Sequence, residues 1–380
     1  MMTTLDRAPA NQTTRLVSRS APPEACAGLL QRWPTQWRPI SSAGLLLASC
    51  LGLAGCAPPG VVEQTAASGE PGLVPSAVRL SDAYPLPLRV WPSRLQVADS
   101  VPDIVVIGLH GFNDYGNAFA PLAEGLSQHG ILTYAPDQRG FGAAALPGRW
   151  HGAERLAEDL VELTDLLRRR HPDARLYLVG ESMGGAVIIS ALARGPLPID
   201  GVVLIAPAVW SRDSMPWYQR VGLDTLVRIA PGMRLSGRGL DIRPSDNTAM
   251  LRAMGSDPLV VKETRVDALW GVTNLMDDAM DAVGRLHGPV LVLYGERDDI
   301  IPRYAFCRML TRLQSDPETL RLVLYRRGWH MLPRDLQGRR VRSDIAAWLR
   351  SPDAPLPSAE EAAADSVRLR AFCRTDDGAH

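Results

Sequence analysis

A serine lies between glycines in the segment Gly180–Gly185, whose sequence is Gly-Glu-Ser-Met-Gly-Gly. A serine hydroxyl is a weak nucleophile until a base removes its proton, so this pattern requires a nearby histidine. The apolar run Leu176–Val179 precedes the segment, and a helical pattern over Ala186–Arg194 follows it. A sharp turn between a strand and a helix projects its central side chain and excludes bulk on either side, which the glycines satisfy. The pattern therefore predicts Ser182 as the nucleophile of an acyl-transfer reaction.

Two of the seven histidines follow strand-like apolar runs. His330 comes after the run Leu320–Tyr325, where a loop would reach the same sheet edge as Ser182, so we predict it as the general base. His110 comes after Asp103–Leu109, and its loop is suited to donating backbone N–H groups to an oxyanion. The other histidines are expected on loops or solvated surfaces: His129, His151, His171, His287 and His380.

A catalytic histidine also needs an anion that fixes its tautomer and stabilises the imidazolium. The apolar run Val290–Tyr294 leads into Gly295–Pro302, which contains Asp298 and Asp299. Either aspartate could complete a Ser-His-Asp triad. Either could instead be an acidic residue at the start of the helical pattern Pro302–Leu313, so the residues alone leave this choice open.

Strand-like and helical segments alternate along the chain after about residue 78. The strand-like runs are Leu86–Trp91, Asp103–Leu109, Ile131–Ala135, Leu176–Val179, Val202–Ile205, Val290–Tyr294 and Leu320–Tyr325. The helical patterns are 153–170, Ala186–Arg194 and Val341–Leu349. Such alternation favours an α/β fold, with a mostly parallel sheet covered by helices on both faces. The candidate catalytic residues all follow strands, so this fold would bring them to one sheet edge.

Residues 207–286 interrupt the alternation and contain no segment that we predict to be a strand. They contain several aromatic and methionine residues, among them Trp210, Met215, Trp217 and Met280. We expect a helical cap over the strand ends. Each of these side chains alone is expected in core packing, whereas together they would suit the lining of an apolar substrate pocket.

The first 55 residues are expected to be a leader that is removed from the mature protein. The uncharged run Ala43–Gly55 follows Arg32 and Arg38 and is shorter than the roughly 20 residues of a membrane span. It ends in Leu-Ala-Gly before Cys56, which resembles the lipobox of bacterial lipoproteins and implies that Cys56 carries a lipid. A cleaved ordinary signal peptide or an uncleaved apolar anchor would also fit. The lipobox predicts a lipid-anchored protein of the bacterial envelope, on the periplasmic side and in the outer membrane.

The composition is that of a soluble globular protein, with 380 residues of which 46% are apolar and 22% charged. Basic and acidic residues balance at 41 each, which disfavours a dedicated nucleic-acid binder. The seven histidines and five cysteines are too few and too scattered for a metal-rich module or a disulfide scaffold, so we expect no metal and no cofactor. The oligomeric state is left open.

Two segments flank the alternating region. Residues 56–77 are rich in Pro, Gly and Ser and predict a flexible tether, and 351–380 predict a partly disordered C-terminal tail. Without the leader, Cys307 and Cys373 are the only cysteines besides Cys56. An oxidising compartment would permit them to pair, but the sequence does not give the distance between them.

The chain resembles the α/β-hydrolase superfamily, and within it the monoacylglycerol lipase and lysophospholipase-like serine hydrolases, over residues 78–350. The motifs that carry the resemblance are His110–Asp114 (His-Gly-Phe-Asn-Asp), Pro136–Gly142, Gly180–Gly185, Asp257–Leu259 (Asp-Pro-Leu), Gly295–Pro302 and Gly328–His330. Nucleophile, acid and base also follow one another along the chain in the order that this fold uses.

The resemblance implies a role for each site residue. It assigns the triad acid to Asp298, which stands three residues after the glycine and four before the proline of its motif, and it leaves Asp299 as a bystander. It assigns the oxyanion hole to the backbone N–H groups of Phe112 and Met183. It also implies a cap at 207–286 and an acyl-ester substrate, such as a monoacylglycerol or a lysophospholipid.

Two other functions remain open from the sequence. A serine aminopeptidase on the same fold would need a cluster of acids in the cap to hold the substrate amine, and Asp277, Asp278 and Asp281 could form one. A non-catalytic envelope lipoprotein could use the same fold as a binding scaffold. Because a serine, an aspartate and a histidine are all present in the expected order, we favour the ester hydrolase.

Overall fold

The structure of the protein is a computed structural model, and it describes residues 60–95, 101–237, 239, 241–313, 319–363 and 366–374. The predicted leader, 1–55, and the predicted lipidation site, Cys56, lie outside these residues. Within the described ranges, no helix is long and apolar enough to cross a membrane.

The predicted strands all form, and they lie in one nine-stranded sheet. Its strands are β1 (Gly72–Val74), β2 (Ala77–Arg79), β3 (Pro85–Trp91), β4 (Ile104–Leu109), β5 (Ile131–Pro136), β6 (Arg175–Glu181), β7 (Gly201–Ile205), β10 (Val290–Gly295) and β11 (Leu320–Tyr325). Their spatial order is β1-β2-β3-β5-β4-β6-β7-β10-β11. Neighbours from β5 to β11 are parallel, whereas β1, β2 and β3 pair antiparallel. The predicted mostly parallel sheet is therefore confirmed.

Helices cover both faces of this sheet. They are α1 (Ala120–Ser127), α2 (Ala153–Arg170), α3 (Met183–Arg194), α4 (Trp217–Ile229), α5 (Thr248–Ser256), α6 (Val266–Ala282), α7 (Arg303–Arg312), α8 (Gly338–Arg350) and α9 (Val367–Arg374). Leu160 of α2 and Ile188 of α3 pack in the core on one face. Leu122 of α1 and Trp348 of α8 pack in the core on the other face. Because both faces are covered, the central strands are buried throughout and appear in the sequence as continuous apolar runs.

Part of the predicted tether, 56–77, forms strands. Gly72–Val74 and the start of Ala77–Arg79 form the antiparallel edge of the sheet, and Val78 is fully buried. Upstream, the Val62 backbone N–H donates to the Trp150 carbonyl at 2.9 Å. The Pro, Gly and Ser content concealed these strands, because each is only three residues long.

The predicted cap, 207–286, lies between β7 and β10 and contains the helices α4, α5 and α6. The expectation that it has no strand was wrong, because Arg234–Ser236 (β8) pairs antiparallel with Glu263–Arg265 (β9). Three-residue strands are too short to show the alternation by which strands are recognised in a sequence.

The described part of the predicted C-terminal tail, 351–363 and 366–374, is more ordered than its composition predicts. Residue Glu361 forms an antiparallel bridge with Val323 of β11, and the Ala362 N–H donates to the Leu322 carbonyl at 2.8 Å. Leu356 and Leu369 are buried. A few apolar side chains thus hold this segment against the last strand, although most of its residues are small or charged.

A disulfide joins the C-terminal tail to helix α7. Cys307 in α7 and Cys373 in α9 have an S–S distance of 2.05 Å and a Cα–Cα distance of 5.7 Å. Helix α7 follows the loop that contains Asp298. The disulfide therefore fixes the last described helix beside the acid loop.

Candidate active site

Ser182 occupies the sharp turn between β6 and α3. Its backbone has φ 52° and ψ −114°, a left-handed conformation that a non-glycine residue rarely adopts. A Cβ added at Gly180 would lie 2.6 Å from backbone atoms of Gly184, and one at Gly184 would lie 2.1 Å from the Leu109 carbonyl oxygen. Only glycine fits at these two positions, as the sequence pattern predicts.

The structure places Asp298 against His330. The His330 Nδ1 lies 2.8 Å from the Asp298 Oδ2, and both side chains are buried. The other carboxylate oxygen accepts the backbone N–H groups of Ile300 and Ile301 at 2.8 and 2.9 Å. Asp299 is exposed. Of the two aspartates that the residues alone left open, Asp298 is therefore the one in contact with the histidine.

The environment of His330 changes its pKa in two opposing ways. Burial disfavours the charged imidazolium and lowers the pKa, whereas the adjacent Asp298 carboxylate raises it by charge and by hydrogen bonding. The pKa of His330 is raised overall above its usual value of 6.5. Because Nδ1 donates to the carboxylate, Nε2 is the ring nitrogen that can accept a proton.

His110 holds the loop after β4 in place. Its Nδ1 donates to the Gly111 carbonyl at 2.8 Å, and its Nε2 accepts the Gln138 backbone N–H at 2.9 Å. Burial lowers the pKa of His110, so the ring is neutral in this arrangement. A Cβ added at Gly111 would lie 3.4 Å from the Ser182 Cβ, so this loop passes directly beside the serine.

The two predicted oxyanion donors are the backbone N–H groups of Phe112, in the loop after β4, and of Met183, at the start of α3. Phe112 follows Gly111 in the loop, and its ring packs edge-on against Phe141 and Trp150, with centroid distances of 5.6 and 6.4 Å. Met183 is the first residue of α3, and the backbone N–H groups of a first helical turn have no partner within the helix. Both N–H groups are thus on segments that adjoin Ser182.

A buried ion-pair network beneath the site was not predicted. Arg334 lies 3.0 Å from Glu181, the residue before the serine, and 2.7 Å from Asp114 in the loop after β4. All three side chains are buried. The sequence did offer a signal, since Glu181 and Asp114 stand inside two of the quoted motifs, but nothing marked Arg334 as their shared partner.

The remaining histidines follow the prediction only in part. His129 and His287 are exposed, as expected, and His380 lies outside the described residues. His151 and His171 lie in loops, as expected, but they are buried and not solvated. Their surroundings explain this, because His171 Nε2 lies 2.9 Å from the Tyr134 hydroxyl and the His151 ring packs edge-on to Tyr84. Burial lowers the pKa of His151 to about 4.

Two of the three cap acids pair with arginines, Asp277 with Arg212 and Asp281 with Arg312. Asp278 and Asp281 line a surface cleft beside Arg194. Among the described residues, no group of three or more His, Cys, Asp or Glu side chains could hold a metal ion.

The sheet and the site at its strand ends define an α/β-hydrolase, and comparisons with known proteins identify its type. A monoacylglycerol lipase of Mycolicibacterium smegmatis is 27% identical over 257 residues, which are 66% of this chain and 89% of that protein. The crystal structure of a Paleococcus ferrophilus monoacylglycerol lipase has a TM-score of 0.58 at 26% identity and covers 70% of this chain and 98% of its own. A soluble variant of the Saccharomyces cerevisiae monoglyceride lipase, at 20% identity, shares the fold with a TM-score of 0.61, over 79% of this chain and all of its own.

A sequence model of the family described as serine aminopeptidase, S33, matches residues 100–337. This match covers more than half of the chain, which therefore belongs to that family. Its relatives identify it as a hydrolase of the lipase and esterase type, similar to monoacylglycerol lipases.

Proposed function

We propose that the protein is a serine ester hydrolase of acyl lipids, of the monoacylglycerol or lysophospholipid class. The observation that carries the proposal is the buried 2.8 Å contact between Asp298 and His330. The strained turn that presents Ser182 ends β6, in the same sheet. Relatives named as monoacylglycerol lipases support the substrate class.

The reaction proceeds through an acyl-enzyme. The Ser182 Oγ attacks the ester carbonyl carbon while His330 Nε2 takes its proton, and Asp298 stabilises the imidazolium. The backbone N–H groups of Phe112 and Met183 stabilise the oxyanion of the tetrahedral intermediate. The intermediate collapses, His330 protonates the leaving alcohol, and the acyl group remains on Ser182. His330 then removes a proton from water, which attacks the acyl-enzyme and releases the fatty acid.

Apolar groups of the cap support an acyl substrate. Trp210 and Met215, which follow β7, are half-buried and pack against the main core. The backbone of the same segment adjoins the nucleophile, because the Ala208 N–H donates to the Ser182 carbonyl at 3.0 Å. An acyl chain bound beside these side chains would remove apolar surface from water, which favours long chains over short ones.

The positions of the acids favour an ester over an N-terminal peptide. Asp278 and Arg194 line one cleft, and Arg194 is the last residue of α3, which starts directly after Ser182. At 1.5 Å per residue, this end of the helix is about 18 Å from the serine. A substrate amine held there would not bring its peptide bond to Ser182, and the other two acids already pair with arginines.

The test compares p-nitrophenyl esters of increasing chain length with aminoacyl p-nitroanilides. We expect hydrolysis of the esters that is faster for medium and long chains, and complete loss of it in Ser182→Ala. The control is Ser190→Ala, the same substitution two turns further along the same helix, which should leave the activity unchanged. Faster hydrolysis of the anilides than of the esters would favour the peptidase. Hydrolysis of neither substrate class would favour a binding protein.

The attachment of the protein to a membrane is a separate part of the proposal. It rests on the sequence at Cys56, which lies outside the described residues. Labelled palmitate should enter the wild-type chain in a bacterial host, and Cys56→Ala should prevent this and release the protein from membranes. A wild-type chain that never acquires the label would contradict the anchor without affecting the proposed hydrolase.

A further inference from the structure

We propose that a segment of the cap, residues 244–257, is a brace that positions both catalytic loops beside Ser182. The brace consists of helix α5, the turn before it and Asp257 after it. One end is bonded to the loop of His330 and the other to the loop of Phe112. This inference rests on the proposed function and assigns positioning roles to residues outside the triad.

At the histidine end, the buried carboxylate of Asp335 joins the brace to the backbone. It accepts the Trp329 backbone N–H at 2.8 Å and the Ser245 hydroxyl at 2.6 Å. The Ser245 oxygen in turn accepts the Asn247 N–H at 3.2 Å, and Ser245 is fully buried. Trp329 directly precedes His330. The hydrogen bond to the Trp329 N–H therefore orients the backbone from which the His330 side chain projects.

Further hydrogen bonds join the same two segments. The Met331 N–H donates to the Pro244 carbonyl at 3.0 Å. The Asn247 side chain makes two hydrogen bonds. Its Oδ1 caps helix α5 by accepting the Met250 N–H, and its Nδ2 donates to the Arg334 carbonyl at 2.9 Å. The start of the helix and the histidine loop therefore share one side chain.

At the oxyanion end, Asp257 follows the last residue of α5. Its Oδ2 accepts the Tyr115 hydroxyl at 2.6 Å, and its Oδ1 accepts the Leu259 N–H at 2.9 Å. Nearby, the Asn113 carbonyl accepts the Val261 N–H at 2.9 Å. These contacts give a structural role to the Asp257–Leu259 motif, whose role the residue pattern alone did not indicate.

The oxyanion loop requires such support. Asn113, which directly follows Phe112, has φ 65°, in the left-handed region that a non-glycine residue occupies at a cost. Its side-chain Nδ2 donates to the Thr264 Oγ1 in the cap at 2.6 Å. Contacts of the residues that follow Phe112 thus hold the backbone conformation that aims its N–H group.

The brace and the buried network act in parallel. Arg334 pairs with Asp114 of the oxyanion loop and also offers its carbonyl to the brace. Helix α5 has nine residues and is about 13 Å long. It separates the contacts with the His330 loop from those with the Phe112 loop. Catalysis is sensitive to such positioning, because a displacement of about 1 Å can cost about 100-fold in rate.

The experiment removes one hydrogen bond at each end of the brace by a substitution in the full chain and measures ester hydrolysis. Ser245→Ala removes the hydroxyl that holds Asp335. We expect kcat to fall about 10- to 100-fold with KM within about twofold, because the substrate pocket remains while the base is displaced. Phosphonylation of Ser182 by a fluorophosphonate should slow by a similar factor, since it also needs the base.

Tyr115→Phe removes the hydroxyl that binds Asp257. We expect kcat to fall about 10-fold, and affinity for a trifluoromethyl ketone, which forms an oxyanion on Ser182, to fall by a similar factor. Asp257→Ala should reproduce this loss. Asp257→Asn keeps an oxygen acceptor for the tyrosine and should restore most of the activity, which a general loss of folding would not explain.

The matched control is Ser256→Ala, an exposed position of the same helix whose hydroxyl bonds only carbonyls of its own turn. Rates are expressed per site that the fluorophosphonate labels at completion, so misfolded molecules do not imitate the effect. If Ser245→Ala and Tyr115→Phe have the same kcat as Ser256→Ala, or raise KM and leave kcat unchanged, the proposed positioning role of the brace is wrong. The proposed hydrolase function would not be affected. A wild-type protein that hydrolyses no ester and takes no label would instead overturn the proposed function.

Discussion

The two loops that flank Ser182 each contain a buried histidine, and these histidines differ in what surrounds them. His330 follows β11 and contacts the Asp298 carboxylate through Nδ1. His110 follows β4, and both of its nitrogens contact backbone groups, the Gly111 carbonyl and the Gln138 N–H. The pKa of His330 is raised and that of His110 is lowered.

The comparison shows that burial and position at a strand end do not make a histidine a base. A ring with both nitrogens bonded to the backbone stays neutral and fixes a loop. A ring with one nitrogen on a carboxylate and the other free can gain and lose a proton within a catalytic cycle. His330 therefore suits proton transfer, whereas His110 suits the support of the oxyanion loop.

Replacing the proposed base should have the largest effect. We expect His330→Gln to lower kcat by about 10⁵- to 10⁶-fold, because the Ser182 hydroxyl loses the group proposed to accept its proton. Steady-state hydrolysis of a p-nitrophenyl ester measures the loss. An activity within tenfold of the wild type would mean that another group is the base, and His110 would be the first to examine.

Replacing the proposed acid should lower kcat somewhat less. Asp298→Asn keeps the shape of the side chain but removes the charge that orients and stabilises the His330 ring, and we expect kcat to fall by about 10⁴-fold. The matched control is Asp299→Asn, one residue further on, where the exposed side chain should tolerate the change. Equal losses in the two variants would show that the loop, and not the contact with His330, matters.

Replacing His110 should reduce both stability and rate, but far less. In His110→Asn the buried Gln138 N–H loses its acceptor, which we expect to lower the free energy of unfolding by about 1–3 kcal/mol. The oxyanion loop should shift as well, and kcat should fall about 10- to 100-fold. Denaturant unfolding and ester hydrolysis measure the two effects.

His129→Asn is the control for that variant, since His129 is exposed and the same substitution should change stability by less than about 0.5 kcal/mol. A fall in kcat of more than about 10⁴-fold in His110→Asn would contradict the division of roles between the two loops. It would mean that His110 takes part in proton transfer.

The sequence predicted the parts of the site that depend on local structure. Ser182 was found because its turn needs glycine on both sides, and the buried strands were found because they are continuous apolar runs. The choice between Asp298 and Asp299 could not be made from periodicity, since it depends on a contact with a residue 32 positions away. Only the resemblance to a family favoured the aspartate that the structure places there.

Long-range polar contacts were beyond what the sequence could predict. Ser245 meets Asp335 across 90 residues, and Tyr115 meets Asp257 across 142. Serines and tyrosines at such positions have no local pattern that distinguishes them from surface residues. The burial of His171 has the same cause, because its partner, Tyr134, lies on a strand 37 residues earlier.

The pH dependence should show the smallest effect and should distinguish the two histidines most directly. The base must be neutral in the free enzyme, so kcat/KM should fall as the pH drops through the pKa of His330. An unperturbed histidine would place this midpoint near 6.5. Burial lowers the pKa of His330 and Arg334 also lowers it, but the charge and hydrogen bond of Asp298 together with the charge of Glu181 raise it by more, so we expect the midpoint above 6.5.

The variant Asp298→Asn tests the sign of this effect. Without the carboxylate, burial dominates and the pKa of His330 should fall below 6.5, so the residual activity should persist to lower pH than in the wild type. His110→Asn should leave the midpoint unchanged, because the His110 Nε2 already accepts the Gln138 N–H and burial lowers the pKa of this ring. Measurements of kcat/KM between pH 5 and 9 compare the three proteins. A midpoint that moves with His110 and not with Asp298 would reverse the roles of the two loops, since only the titrating histidine can set it.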